Sequence, residues 1–196
     1  MLSKIILASK SKVRKDILDK NNIECIVQQS NVDEDPVKES LLKERASSEI
    51  ISKNLAELKA NKVSLKKTDE IILGADSVID LEGELISKPQ DREEALNILK
   101  KLNGKKHKLV SSVCISKNGS MIWNHTDQSE LKMKNLEDKD LTQYLKKIKT
   151  ETLLAYGVYQ IEANGLDLFE YIKGDQDSIM GLPIKHIIKY IEQYKQ

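Results

Sequence analysis

The stretch EIILGADSVIDLEGELISKPQDREEALNILKKLNGKKHKLVSSVCIS, residues 70–116, decides the fold. Its first part, Ile71 to Ile79, is an apolar run of the length expected for a buried strand. Glu82-Gly83 then predicts a tight turn into a second short strand at Leu85-Ile86, because Gly adopts the positive φ angles that hairpin turns require. A strand hairpin therefore opens this stretch.

A helix is expected to follow the hairpin. Asp91 can cap its first turn with Glu94 as capping-box partner, and Asn103-Gly104 is a typical helix end. Elsewhere in the chain the pattern predicts strands at Ile5 to Ala8, Ile23 to Gln29, His107 to Ser116 and Met121 to Met133. It predicts helices at Val13 to Lys20, Asp138 to Ile148 and Ile184 to Tyr194, and one or two helices in Lys38 to Asn61. Residues 157–174 are expected to form a loop followed by a strand. This alternation predicts an α/β or mixed fold.

Composition places the 196-residue chain in the globular class, with 39% hydrophobic and 32% charged residues. We expect one domain, residues 1–196, and a cytoplasmic protein, because the apolar run at Ile5 to Ala8 is far too short for a signal peptide or a membrane span. The net charge of +1 gives no bulk attraction to nucleic acid or to a membrane surface. Cys25 and Cys114 are expected to be buried, reduced thiols.

The histidines give no metal signal in the sequence. His107, His125 and His186 are far apart and lack ligand spacing, so no structural zinc site is expected.

The opening stretch IILASKSKVRKDIL, residues 5–18, carries an unusual charge for a helix start. The first turn of a helix favours Asp or Glu, yet this one has Lys12, Arg14 and Lys15. Free backbone N–H groups, the hydroxyls of Ser9 and Ser11, and the Arg14 guanidinium could together bind a phosphate. The alternative is a plain serine N-cap with lysines in solvent.

Asp76 interrupts the apolar run of the central strand. An ionised carboxylate there is costly unless it meets a cation, a metal or hydrogen-bond donors, so it is a candidate metal ligand or base at a strand end. Gly74, two residues earlier, would let another group approach the backbone closely. The alternative is an aspartate that turns the chain or faces solvent on an edge strand.

Further candidates are weaker when taken singly. The acidic run Asp33 to Asp35 could offer carboxylate oxygens to Mg²⁺, although a solvated turn is the better explanation of this run taken by itself. Lys59, Lys88 and Glu162 would each be surface residues by default. Taken together, basic donors at a helix start and several carboxylates suit a polyphosphate held with a divalent metal.

The sequence resembles the Maf (septum-formation) family of nucleoside triphosphate pyrophosphatases, nearly end to end and in order. The similar blocks are ILASKSKVRKDIL, VDED, LAELKA, ILGADSVIDLEGELISKPQDREEA, LNGKKHKLVSSV and YQIEANGLDLFEYIKGDQDSIMGLPI. The resemblance implies a fold shared with inosine triphosphate pyrophosphatases: an elongated mixed β-sheet flanked by helices, with a cleft between two lobes. It also implies cleavage of a nucleoside triphosphate to the monophosphate and pyrophosphate, a Mg²⁺ or Mn²⁺ cofactor, and a homodimer.

The resemblance also implies roles for individual residues. Ser11 and Arg14 would bind phosphate, Lys59 and Lys88 would neutralise its charge, and Glu34 and Asp76 would hold the metal or activate water. The substrate-binding set is Ser9, Ser11, Val13, Arg14, Ser77 and Glu162. Asp76 would be the proton acceptor, and Ser77 keeps the hydroxyl of the family's threonine.

Val13 and Glu162 leave the preferred base open. Branches of the family that prefer dTTP and UTP usually have arginine where Val13 stands and glutamine where Glu162 stands, whereas the 7-methyl-GTP branch has tryptophan and an acidic residue.

Two other functions remain open: a nucleotidyltransferase, which would need a second substrate, and a nucleotide-binding regulator of cell division without turnover.

Overall fold

The computed structural model describes residues 5–161 and 164–194. In this part of the chain seven strands form one sheet in the order β2-β1-β3-β5-β6-β7, with β4 paired to β3. The strands are β1 (Ile5–Leu7), β2 (Cys25–Val27), β3 (Ile72–Leu81), β4 (Glu84–Ile86), β5 (Lys106–Lys117), β6 (Ser120–Met133) and β7 (Phe169–Lys173). The helices are α1 (Lys12–Lys20), α2 (Asp35–Lys43), α3 (Ser48–Ser64), α4 (Arg92–Leu102), α5 (Asp138–Lys146), α6 (Thr150–Tyr156), α7 (Gln176–Ile179) and α8 (Ile184–Tyr194), with a 3₁₀ turn at Asn164–Leu168.

The sheet is mixed, as the α/β prediction requires. β1 pairs in parallel with both β2 and β3, whereas β3 with β4 and β6 with β7 are antiparallel. Parallel neighbours need crossover connections, and α1 supplies the crossover from β1 to β2. The mixed sheet with its helices is therefore confirmed.

The central hairpin and its helix follow the sequence closely. Glu82 and Gly83 adopt positive φ angles of 55° and 89° at the turn from β3 to β4. The Asp91 side chain accepts a hydrogen bond from the Glu94 backbone N–H at 2.8 Å, and Glu94 in turn accepts one from the Gln90 backbone N–H at 2.7 Å. The predicted hairpin is confirmed, and the Asp91 N-cap is in place.

Contacts divide the chain into two compact units. The first contains Met1–Ser77, Val110–Gln128 and Asp175–Gln196, and the second contains Val78–Leu109 and Ser129–Gly174. The expected single domain over residues 1–196 and the expected cleft both stay predictions.

Each unit has its own buried interior. In the first unit β1 is buried on both faces, because Ile5 and Leu7 join one apolar cluster while Ile6 and Ala8 join another. In the second unit His107, Tyr159 and Phe169 lie together, with the Tyr159 and Phe169 rings 5.0 Å apart and edge to face. The buried strand predicted at Ile5 to Ala8 is thus confirmed.

Several details of the prediction are wrong. α2 begins at Asp35 and not at Lys38, where the predicted helical region starts, because Pro36 fits the first turn of a helix, where its missing N–H costs nothing. α6 and α7 were not expected, and both are very short. Cys25 is only half-buried, since it lies on the edge strand β2, whereas Cys114 is buried as expected and both thiols are free.

Residues 5–161 and 164–194 include no helix that combines the length and the apolar character needed to cross a membrane.

Candidate active site

Asp76 is the most deeply buried carboxylate of the predicted site. It lies within β3 rather than at a strand end, and only 6% of the residue is exposed. Its Oδ1 accepts a hydrogen bond from the Lys59 ammonium at 2.7 Å. Its Oδ2 is also buried, and no residue in the described part of the chain donates to it. Asp76 therefore keeps one oxygen directed at a group that the chain does not supply.

Lys59 connects this aspartate to a second carboxylate. Its Nζ lies 2.7 Å from Asp76 Oδ1 and 2.9 Å from Glu34 Oε1. Lys38, one helical turn after Glu34, lies 3.5 Å from the other Glu34 oxygen. Two negative and two positive groups thus form one network, which offsets the cost of burying Asp76 and Lys59.

Small residues on α3 allow Lys59 to reach the strand. An added Cβ at Gly74 would lie 2.2 Å from the Ala56 carbonyl oxygen, so only glycine permits this approach of helix to strand. The hydroxyl of Ser52, one turn before Ala56, donates to the Asp76 carbonyl oxygen at 3.1 Å. The prediction that Gly74 allows a close approach is confirmed, and the approaching group is α3.

Arg14 makes a second polar network within the same unit. Its guanidinium donates to the carbonyl oxygens of Gly181 at 2.8 Å and Ala75 at 2.9 Å. It also donates to the hydroxyls of Ser9 at 3.3 Å and Ser77 at 3.2 Å. Four donated bonds hold the guanidinium in one orientation, so Arg14 fixes the positions of two predicted substrate-binding serines.

Ser11 is the N-cap of α1. Its hydroxyl accepts a hydrogen bond from the Arg14 backbone N–H at 3.3 Å, while its own N–H donates to the Ser9 hydroxyl at 3.1 Å. The first turn of α1 has no acidic residue, and Lys10 and Lys12 are exposed. The serine N-cap is present, and no acidic side chain in the first turn offsets the positive end of α1, so the phosphate site stays a prediction.

The other predicted residues have different surroundings. Val13 is half-buried and packs against the apolar cluster of the first unit. Lys88 is exposed and belongs to the second compact unit, between β4 and α4. Glu162 lies outside the described residues. The structure therefore brings together Glu34, Lys59 and Asp76, and separately Ser9, Ser11, Arg14 and Ser77. The roles of all the predicted site residues stay predictions.

The donor set around Asp76 fits a hard divalent cation. Mg²⁺ and Mn²⁺ prefer carboxylate, phosphate and water oxygens, and the buried Asp76 Oδ2 is an oxygen without a donor. Glu34 supplies a second carboxylate within the same network, 28% exposed. A cation here would meet the buried Asp76 oxygen that has no hydrogen-bond donor.

Most of the groups that support the site carry no sequence signal. The Gly181 and Ala75 carbonyl oxygens and the Ser52 and Ser111 hydroxyls support Arg14, Ser77 and Asp76 from distant parts of the chain. Ser52 alone left a trace, since Ser52, Ala56 and Ala60 recur every four residues and form a small-residue face on α3.

The expectation that the chain has no structural zinc site stays a prediction. His125 and His186 lack ligand spacing in the sequence, yet the fold brings their side chains together beside Asp127, because residues 120–128 of β6 and the whole of α8 belong to the same compact unit. Sequence spacing detects only ligands that are close along the chain.

Comparison with known proteins gives a consistent family. The profile of the family described as Maf-like protein matches residues 4–194. A protein of Pelagibacter ubique named nucleoside triphosphate pyrophosphatase is 65% identical over 195 residues, covering 100% of both chains. A protein of Brucella abortus named 7-methyl-GTP pyrophosphatase is 33% identical, covering 100% of this chain and 98% of its own.

Solved structures resemble the chain more distantly. A nucleoside-triphosphatase described as a dITP/XTP pyrophosphatase from Mycobacterium abscessus covers 98% of this chain and 94% of its own, at 12% identity and a TM-score of 0.44. A HAM1 protein from Coxiella burnetii covers 68% of this chain and 73% of its own, at 14% identity and a TM-score of 0.42. Likeness at this level bears on neither site nor substrate. The family profile over nearly the whole length and the 65% identical relative show that the chain belongs to the Maf family.

Proposed function

We propose that this protein is a nucleoside triphosphate pyrophosphatase, a hydrolase that releases a nucleoside monophosphate and pyrophosphate. The observation that carries the proposal is Asp76, a buried carboxylate held by Lys59 through one oxygen and left without a donor on the other. The names of the Pelagibacter and Brucella relatives support the same class of reaction.

Asp76 is the proposed proton acceptor. Hydrolysis adds water across the bond between the α- and β-phosphates, and the attacking water loses a proton as it bonds to phosphorus. A carboxylate oxygen within hydrogen-bond reach can take that proton. Asp76 Oδ2 suits this task because Lys59 fixes the opposite oxygen at 2.7 Å and so limits rotation of the carboxylate.

Cationic groups would stabilise the charge that develops on the phosphate oxygens. Lys59 and Lys88 are the proposed neutralising residues, and the N–H groups at the start of α1 add a positive end. In this proposal Ser9, Ser11, Arg14 and Ser77 bind the substrate. Arg14 also orients Ser9 and Ser77 through the bonds described above.

Glu34 and Asp76 are the proposed ligands of Mg²⁺ or Mn²⁺. When bound, such an ion polarises phosphate oxygens and compensates their charge. Glu34 is suited to hold it because its backbone lies at the start of α2, where its side chain already faces Lys59.

The proposal also concerns the base of the nucleotide that the enzyme prefers. Val13 offers an apolar, half-buried surface, and Glu162 offers an acceptor that suits a cationic methylated base. We propose that these two positions select the base, with methylated and non-standard nucleotides as substrates to be tested beside the common ones.

Product analysis tests the function. The wild type is incubated with Mg²⁺ or Mn²⁺ and a panel of common and methylated nucleoside triphosphates, and the products are resolved. We expect monophosphate and pyrophosphate in equal amounts, no activity in chelator, and loss of turnover in Asp76→Asn. Asp80→Asn is the matched control on the same strand, where Asp80 accepts from the Gly83 backbone N–H at the hairpin.

Other products would contradict the proposal. Binding of nucleotide without turnover would favour a regulator, and turnover that requires a second substrate would favour a nucleotidyltransferase. Release of single phosphates would indicate a different hydrolase.

A homodimer is the proposed assembly. On the edge strand β2, Ile26 and Val27 are 52% and 41% exposed, an apolar surface that a second copy could cover. Sedimentation of the wild type against Ile26→Lys tests this, with a dimer that weakens in the variant as the expected result and a monomeric wild type as the contradicting one.

A further inference from the structure

His125, Asp127 and His186 form a cluster that the proposed reaction does not use. In the part of the chain that the structure describes, they are the group of three metal-binding side chains whose ligand atoms all lie within 4.8 Å of one another. All three belong to the first compact unit. The cluster contains two imidazoles, whereas the Glu34–Asp76 pair offers only oxygen.

The secondary structure explains why these side chains meet. His125 and Asp127 are two residues apart on β6, so their side chains leave the same face of the strand. His186 lies on α8, and Tyr190 follows it by one helical turn. The His125 and His186 rings are stacked with centroids 3.5 Å apart, and Trp123 and Tyr190 stack in the same way at 4.9 Å. Each stacked pair joins one residue of β6 to one residue of α8, so the two pairs fix the position of the helix along the strand.

Asp127 lies beside both imidazoles, and a hydrogen bond from Ser178 fixes the orientation of its carboxylate. Its Oδ1 lies 2.7 Å from His125 Nε2 and 3.8 Å from His186 Nε2. Its Oδ2 accepts a hydrogen bond from the Ser178 hydroxyl at 2.6 Å. Ser178 is itself fixed, because its backbone N–H donates to Asp175 Oδ1 at the start of α7. Carboxylates that bind a metal ion are commonly held in this way, by a hydrogen bond from a residue that does not itself contact the ion.

We propose that His125, Asp127 and His186 form a second metal site, which binds a Zn²⁺-type transition-metal ion through the two Nε2 atoms and Asp127 Oδ1. Two histidines and a carboxylate are a common ligand set for such ions, and imidazole nitrogen disfavours Mg²⁺. Three protein ligands leave further positions for water or a small anion. The ion would join β6 to α8 within the first unit.

The observed distances need only a local adjustment. Zinc bonds to nitrogen and oxygen are about 2.0–2.2 Å long, so neighbouring ligand atoms lie roughly 3–3.5 Å apart, between the two observed separations. The stacked rings must tilt so that both nitrogen lone pairs meet the ion, and the side-chain exposures of 28% for His125 and 44% for His186 leave room for this. The hydrogen that His125 Nε2 shares with Asp127 Oδ1 must leave that nitrogen before the ion binds, and a neutral imidazole then carries its one ring hydrogen on Nδ1.

Zinc titration of the full chain tests the proposal. Protein freed of metal by chelator is titrated with Zn²⁺ against a chromophoric competitor, and Co²⁺ absorption reports the ligand geometry. We expect one ion per chain with a tetrahedral Co²⁺ spectrum. We expect affinity to fall by more than about a hundredfold in His186→Gln and Asp127→Asn, and by about tenfold in Ser178→Ala, which disturbs only the outer shell.

Two controls separate this site from the others. His107→Gln removes a histidine from the second unit and should bind Zn²⁺ as the wild type does, and Asp76→Asn should do so as well. No Zn²⁺ binding by the wild type, or unchanged binding in both His186→Gln and Asp127→Asn, would overturn the proposal. Loss of binding in Asp76→Asn alone would also overturn it, because the ion would then belong to the oxygen site. The readout is metal binding, so it is independent of the pyrophosphatase assay.

Discussion

Each compact unit buries a polar pair, and the two pairs are opposite in kind. In the first unit Asp76 and Lys59 are buried as charged partners 2.7 Å apart, and Asp76 Oδ2 has no donor. In the second unit His107 and Tyr159 are buried as neutral partners, with His107 Nε2 3.0 Å from the Tyr159 hydroxyl. Burial lowers the pKa of His107 to about 4 and raises that of Tyr159, so both stay uncharged at neutral pH.

The difference in charge between the two buried pairs indicates that the first serves the reaction and the second serves the stability of the fold. The neutral pair also leaves one buried atom, His107 Nδ1, without a partner, but it carries no charge and packs with Phe169 as part of an aromatic cluster. A charged pair with an unsatisfied oxygen costs more and gives the fold less, so its presence indicates a ligand. The comparison predicts that changes at the first pair affect turnover and that changes at the second affect stability.

Lys59→Met should have the largest effect. It leaves Asp76 and Glu34 without the ammonium that lies between them, and loss of one partner of a buried ion pair costs about 3–5 kcal/mol. We expect turnover to fall by about a hundredfold or more as well. Urea unfolding and steady-state kinetics measure both. Lys62→Met, one turn later on α3 with its ammonium near the Asn31 carbonyl oxygen, is the matched control and should change little.

Gly74→Ala should rank next. The new methyl group would lie 2.2 Å from the Ala56 carbonyl oxygen and push α3, with Lys59, away from β3. Overpacking of this kind costs about 1–3 kcal/mol, and turnover should fall with it. Adding Ala60→Gly should not restore stability, because the nearest atom is backbone. Full rescue by Ala60→Gly would contradict the proposed packing.

His107 should make stability depend on pH. Its pKa in the folded protein, about 4, lies below the ordinary 6.5. Between pH 6.5 and pH 4 His107 therefore binds a proton in the unfolded chain but not in the folded chain. Stability is therefore present above pH 6.5 and is lost as pH falls toward 4, by about 2 kcal/mol at pH 5. Between pH 7.5 and pH 5, the wild type should lose this much more unfolding free energy than His107→Leu. Equal losses would mean that His107 takes up a proton in the fold.

Tyr159→Phe should have the smallest effect. It removes the hydroxyl beside His107 Nε2 and leaves the buried ring without that partner, at a cost of about 1–2 kcal/mol. Tyr171→Phe, which loses a bond from a half-exposed hydroxyl to Glu130, should cost less than about 0.5 kcal/mol. Chemical unfolding of the two variants side by side measures the difference.

Sequence reasoning succeeded where structure depends on neighbours along the chain. The turn at Glu82-Gly83 and the capping of α4 by Asp91 are local, so short patterns predicted them. It failed for α6, which has no side chain capping its first turn and spans only seven residues. Such a helix forms through tertiary packing and has little signal of its own.

The candidate site divides in the same way. Asp76 was recognisable because a carboxylate stood in an apolar strand, and Gly74 because it preceded that carboxylate. The partners of Arg14 were not, since the Gly181 and Ala75 carbonyl oxygens are backbone atoms that any residue type provides. The meeting of His125 with His186 depends on the packing of α8 beside β6, which no spacing reveals.

The most direct test measures turnover and unfolding free energy in parallel for Asp76→Asn and Tyr159→Phe. Asparagine keeps an oxygen for Lys59 but cannot accept a proton from water, so we expect about a thousandfold loss of turnover with nearly unchanged stability. Tyr159→Phe should do the reverse, losing about 1–2 kcal/mol of stability at wild-type turnover. If Asp76→Asn kept its turnover, or if both variants lost turnover only in proportion to stability, the carboxylate–lysine pair would serve the fold and not the reaction.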